Sequence, residues 1–199
     1  MRNKKKLLCL VITVVMAIGL LVACGAKNPK GAALKHVAIE FADYGTVTLE
    51  LDRTNAPITV DNFCKLAESG FYDGLTIIRA QEGFVIQGGD PAKDGTGGSP
   101  ETIKGEFASN GVDNKISHTR GVISMARSMS PNSASSQFFI MLGDNTFLDG
   151  DYAGFGHVTE GMDVIDKIAA DCVPLGDPGY GFISDVSKQP VITSVKVLD

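Results

Sequence analysis

From His36 onward the chain alternates its apolar positions with a period of two. Val37, Ile39 and Phe41 interleave with Ala38 and Glu40, and Val47, Leu49 and Leu51 interleave with Thr46, Thr48 and Glu50. The turn between them is Asp43-Tyr44-Gly45. Successive side chains of a strand point to opposite faces, so two such runs joined by a short turn predict a β-hairpin. The period then changes. Val60, Phe63, Cys64 and Ala67 fall at i, i+3, i+4 and i+7, with Pro57 near the start and Gly70 just past the end. That asymmetry predicts a helix with Cys64 on its apolar face. Further short strands are expected at 75–80, 84–87, 121–126, 136–142, 153–158 and 191–197. A second helix is expected near 160–169, where Met162, Ile165 and Ala169 share a face. Eight short strands, two helices and many glycine turns point to a closed or nearly closed antiparallel β structure, with no repeat and no second domain.

The first residues follow another pattern. Arg2, Lys4, Lys5 and Lys6 precede an apolar run from Leu7 to Val22 broken only by Thr13 and Gly19. Those 16 residues are fewer than the roughly 20 of a membrane span. A basic head, an apolar middle and a small-residue exit predict a secretory signal. The exit, Leu21-Val22-Ala23-Cys24-Gly25, resembles the lipobox of bacterial lipoproteins. In that family the chain is cut before the cysteine, whose sulfur then carries a diacylglycerol. Two or more acyl chains, at about 0.8 kcal/mol per buried methylene, hold a protein stably to a bilayer. The expected division is a signal peptide over 1–23, a lipidated Cys24 and flexible tether over 24–35, and one domain over 36–199. The protein would then be lipid-anchored outside the bacterial cytoplasm. An uncleaved anchor or a plain secretory cut would leave Cys24 incidental.

Charge narrows the partners. Without residues 1–23, 14 basic residues face 23 acidic ones, a net charge of −9. An acidic body argues against nucleic acid, which needs clustered Lys and Arg, and against electrostatic adhesion to anionic lipid. Cys64 and Cys172 could pair in an exported protein or remain as two free thiols.

Several chemistries lack their residues. His36, His118 and His157 are far apart and no HExxH or CxxC spacing occurs, so no metal is expected. No GxSxG elbow is present. The glycine-rich stretch 79–100, RAQEGFVIQGGDPAKDGTGGSP, contains neither GxxxxGK[ST] nor GxGxxG between a strand and a helix. Turn geometry explains its glycines better than a phosphate cradle does.

Five blocks in register carry a resemblance. GFVIQGGD (83–90), GTGG (95–98), GVISMAR (121–127), SSQFFI (135–140) and FLDGDYAGFGHV (147–158) are similar to those of the cyclophilin family of peptidyl-prolyl cis-trans isomerases. The likeness runs from about His36 to Asp199. It implies a mainly β fold, a closed eight-stranded antiparallel barrel capped by two helices. It also implies isomerisation of X–Pro bonds, here in exported proteins, by a monomer that needs no cofactor.

The resemblance assigns residues. Arg79 matches the family's catalytic arginine, which is held near the proline carbonyl and the developing nitrogen lone pair. Phe84 and Gln87 complete that group. Val85, Phe139, Leu148 and Tyr152 match the wall of the proline pocket, and Gln137, with Gln87, matches polar residues that orient Arg79 and the substrate backbone. Ala126 and Arg127 match the stretch whose backbone pairs with the peptide. Phe138 and Phe139 alternate across a strand, so one faces the core and the other the groove; the match gives Phe139 to the groove. Phe147 stands where many members carry a tryptophan whose indole N–H binds cyclosporin, so weakened binding of that drug is expected. Tyr152, Val85, Arg127, Ile78 and Glu82 also depart from common residues. A non-catalytic peptide-binding chaperone, or a surface interaction protein on the same fold, is the alternative.

Overall fold

The computed structural model describes residues 33–199, so Cys24 and the expected signal and most of the tether lie outside the described residues. The first hairpin is β1 (Leu34–Phe41) and β2 (Gly45–Asp52), in register with Val37 opposite Leu49 and Ile39 opposite Val47. β1 thus includes the last two residues of the expected tether. There follow α1 (Pro57–Glu68), β3 (Ile77–Gln81), β4 (Val85–Gly88), β5 (Val122–Met125), β6 (Phe138–Met141), β7 (Gly154–Glu160), α2 (Met162–Cys172) and β8 (Ile192–Val197). All eight strands pair antiparallel in the order β3-β4-β6-β5-β7-β2-β1-β8.

The sheet is a curled half-barrel rather than the closed barrel expected from the resemblance. β3 and β8 are its two edges, and an isolated bridge between Thr76 and Val191 spans the seam. Ile77 N of β3 donates to the Pro190 carbonyl at 2.9 Å, but Pro190 has no N–H to return the bond. Beyond that bridge β3 turns its edge to the 181–183 segment, with Ala80 N donating to the Gly181 carbonyl and Ile183 N to that of Ile78.

The concave face holds the main core. Ile39, Leu49, Ile86, Ile123, Phe138, Ile140 and Phe155 are fully buried there. Phe63 of α1 packs edge-on against Phe138 at 5.7 Å between centroids. α1 lies against β8 and β2, and α2 against β2 and β3. No side chain of α1 itself caps its N-terminus. The buried carboxylate of Glu106 does so from 47 residues away, accepting from Ile58 N at 3.0 Å and from Thr59 N at 2.8 Å. Those first amides have no intrahelical partner, and a negative charge suits the positive end of the helix. At the other end Gly70 has φ +71°, the left-handed stop the sequence implied.

α2 runs three residues past the expected 169. Ile165, Ile168, Ala169 and Cys172 form its buried stripe, continuing the i, i+3, i+4, i+7 spacing. Cys64 and Cys172 are buried free thiols on different helices, and burial pushes each up to about 11.

Candidate active site

The convex face of β3, β4, β6 and β5 carries the groove. Register aligns four side chains into one row across these strands: Arg79 opposite Gln87, Gln87 opposite Phe139, and Phe139 opposite Ser124. Alternation leaves their neighbours Ala80, Ile86 and Ile140 in the core. Phe138 joins that core and Phe139 the groove side, the division that the resemblance implied.

Phe139 belongs to a second apolar cluster with Val85, Val122, Met141 and Leu148, against which Phe84, Ala126 and Tyr152 pack. This cluster floors a cavity of about 580 Å³, within the usual range for small ligand sites. All eleven residues singled out in the groove line it. Tyr152 meets Phe139 edge-on at 5.9 Å. Phe147 is 70% exposed on a short 3-10 turn and stacks on Phe84 at 5.9 Å and 17°, forming a rim. Ala126 N donates to the Gln137 carbonyl at 3.0 Å, so this N–H is already engaged.

Arg79 is fixed on every side. Nη1 donates to Gln87 Oε1 at 3.2 Å, Nη2 to Gln81 Oε1 at 2.7 Å, and Nε to the Tyr180 carbonyl. Its guanidinium lies 5.4 Å from the Phe84 ring and 5.7 Å from Phe182. Burial presses its pKa below the ordinary arginine value, with the charge of Asp177 opposing. Arginine stays protonated regardless, so the result is a poorly solvated, oriented cation with aromatic walls.

The orienting network continues into the glycine-rich loop. Gln87 Nε2 donates to Gln137 Oε1 at 2.8 Å, and Gln137 Nε2 donates to the carbonyls of Gly95 and Gly97. The buried Asp90 carboxylate shapes this loop, accepting from the amides of Ala92, Asp94 and Gly95. A Cβ on Gly97 would stand 2.2 Å from Asp90 Oδ1; only glycine fits.

Beneath the floor lies His118, whose ring is stacked on Phe139 at 6.1 Å. Its Nδ1 is 2.8 Å from Asp149 Oδ1 and its Nε2 is 2.9 Å from Ser124 Oγ. Burial lowers its pKa, outweighing the carboxylate.

Gln81, Tyr180 and Phe182 were not among the residues drawn from the sequence. Gln81 had a signal, since i and i+2 of a strand share a face. Tyr180 and Phe182 stand in Asp177-Pro178-Gly179-Tyr180-Gly181-Phe182, a loop whose aromatics among turn residues were its only mark.

Known proteins share this chain's sequence pattern and fold. A family model described as "Cyclophilin type peptidyl-prolyl cis-trans isomerase/CLD" matches residues 36–197. A peptidyl-prolyl cis-trans isomerase of Acinetobacter baylyi is 42% identical, covering 83% of this chain and 87% of its own. Peptidyl-prolyl cis-trans isomerase A of Dickeya dadantii is 36% identical, covering 98% of both. A cyclophilin-type isomerase of Cryptosporidium parvum, solved in the presence of the dipeptide Ala-Pro, superposes with a TM-score of 0.70 at 28% identity, covering 82% of this chain and 99% of that one. With an oriented arginine beside an apolar floor, and with that family model spanning all of the sheet but its first two residues, this chain belongs to the cyclophilin-type peptidyl-prolyl cis-trans isomerases.

Proposed function

We propose that the groove seats the proline ring of a polypeptide against Phe139, Val85, Leu148 and Tyr152, and that Arg79 stabilises the twisted X–Pro amide. Resonance sets the barrier at about 18–20 kcal/mol, which leaves uncatalysed exchange in the range of tens to hundreds of seconds. Twisting removes resonance, and the prolyl nitrogen gains a lone pair. A donor fixed in advance beside that nitrogen favours the twisted form over both planar forms, and such differential binding is what accelerates a reaction. The chain needs no nucleophile and no proton transfer for this step. Gln87 and Gln81 hold the guanidinium, Gln137 and the main chain of Ala126 and Arg127 bind the peptide backbone, and Phe84 and Phe147 border it.

The observation that carries this reading is the Arg79–Gln87–Phe139 row, which sets an oriented cation one strand from an apolar floor. A passive peptide-binding chaperone would need the floor but not the three hydrogen bonds that orient Arg79. Turnover of a proline peptide by the purified chain tests the reading; binding without acceleration would sink it. Exposed Phe147 has no N–H to donate, which supports weak cyclosporin binding. Sequence alone supports Cys24 lipidation and action on exported proteins at a bacterial membrane. Mass spectrometry of the mature N-terminus should find a modified Cys24, and an unmodified chain starting elsewhere would refute it.

A further inference from the structure

We propose that Arg127 gives the groove a preference for polypeptides with an acidic residue just before the proline. This rests on the isomerase reading above. The chain beyond residue 23 carries a net −9, yet no aspartate or glutamate lines the cavity among the described residues. Two arginines do. Of the four arginines in the described residues, Arg53 pairs with Asp61 at 2.7 Å and Arg120 with Asp166 at 2.7 Å. Arg79 and Arg127 have no carboxylate within 4.0 Å, and both line the cavity. Asp177 acts on Arg79 only from beyond that distance, and with no carboxylate in contact with either arginine the groove of this acidic domain keeps a local positive potential.

Arg127 is also held in place. Its Nε donates to the Asp151 carbonyl at 2.9 Å and its Nη1 to that of Ser128 at 2.9 Å. The guanidinium lies 4.7 Å from the Tyr152 ring and 5.1 Å from Phe107. Main-chain carbonyls and rings orient the charge without cancelling it, and Nη2 keeps its donors. The Asp151 carboxylate turns to Ser109 Oγ at 2.7 Å. Tyr152 stands between Arg127 and the Phe139 floor, so Arg127 lies one ring beyond the proline. With Arg79 at the proline carbonyl, Arg127 faces the residues that precede the proline, where a carboxylate would receive a charge-assisted hydrogen bond.

Protease-free exchange NMR on Ala-Xaa-Pro-Phe peptides, with Xaa as Glu, Gln or Lys, tests this on the full chain. A second set carries the same three residues after the proline. Glu should exceed Gln, and Gln exceed Lys, by about two- to fivefold in kcat/KM, the range of a partly exposed ion pair. The difference should lie in KM and shrink at high salt. Arg127→Gln should bring the Glu/Gln ratio to unity, while Arg127→Lys keeps it above one. Equal rates on all three peptides, a ratio that survives Arg127→Gln, or a larger effect in the second set overturns the proposal. No turnover of any peptide overturns the isomerase reading and this proposal with it.

Discussion

Gln87 donates its side-chain amide to Gln137 Oε1 at 2.8 Å while its own oxygen accepts from Arg79 at 3.2 Å. One glutamine therefore couples the guanidinium to the Gly95–Gly97 loop. Each donor in this chain points one way, from the cation outward, and each link fixes the amide orientation of the next.

Arg79→Ala should lower kcat/KM by about 10²–10³, the loss typical of removing a fixed donor at a developing charge. Arg79→Lys should recover only a small part, because an ammonium cannot satisfy Gln87, Gln81 and Tyr180 from a planar fork. Steady-state kinetics on both variants, with circular dichroism to confirm folding, decide the matter; wild-type rates in either variant would discard the assigned role.

Gly97→Ala tests the far end of the chain. The new Cβ would overlap Asp90 Oδ1 and crowd Ala92 at 2.8 Å, moving the carbonyl that receives Gln137 Nε2 at 2.7 Å. A stability loss of about 1–3 kcal/mol is expected from the overlap, together with a fall of at least about tenfold in kcat, since small displacements of positioning groups are costly. Calorimetry and kinetics measure the two separately, and full activity with lowered stability would break the link to Arg79.

Phe138 and Phe139 should separate stability from turnover. Phe138 is fully buried against Phe63 and Tyr72, so Phe138→Ala should cost about 3–5 kcal/mol in denaturant unfolding. Phe139→Ala opens into the groove and should cost less stability but most of kcat/KM. The reverse pattern would mean that the two faces have been exchanged.

Acid should weaken the fold through His118. Burial holds its pKa below 6.5 in the folded state, so the unfolded chain binds a proton first as pH falls. Stability contributed by neutral His118 is complete above about pH 6.5 and declines until the lowered folded pKa is reached. Burial pushes Asp149 upward, but hydrogen bonds from Ser117 and His118 outweigh it and leave the group below 3.8; its contribution is lost only in stronger acid. In His118→Gln the slope of unfolding free energy against pH should flatten below about pH 6.5, with an overall loss of about 1–3 kcal/mol for unsatisfied partners. An unchanged slope would exclude His118 as its source.

The central row of this site could be read from the chain because Arg79, Gln87 and Phe139 sit on strands, where side chains alternate. Phe138 and Phe139 had to face opposite ways, Gln87 and Phe139 fell inside recognisable blocks, and Arg79 stood four residues before the first of them. Tyr180 and Phe182 were missed because residues 177–182 have no period. Asp177 folds that loop by accepting from the amides of Gly179, Tyr180 and Phe182, and pairing with β3 then brings it over Arg79. His118 escaped notice because its partners are 6 and 31 residues distant, a spacing that marks no motif. The open seam was equally hidden, since a ladder's end depends on which backbone groups meet and not on side-chain pattern.

The Asp149–His118–Ser124 chain carries a wider lesson. Carboxylate, imidazole and hydroxyl follow one another at 2.8 and 2.9 Å, the order and spacing by which serine hydrolases activate their nucleophile. Here the hydroxyl and the ring are wholly excluded from solvent, with Phe139 stacked over the imidazole. A search by atomic template alone would name this molecule a protease. What separates scaffold from reagent is access: the same three groups brace a floor when sealed and would cleave an acyl bond only if a substrate could reach them.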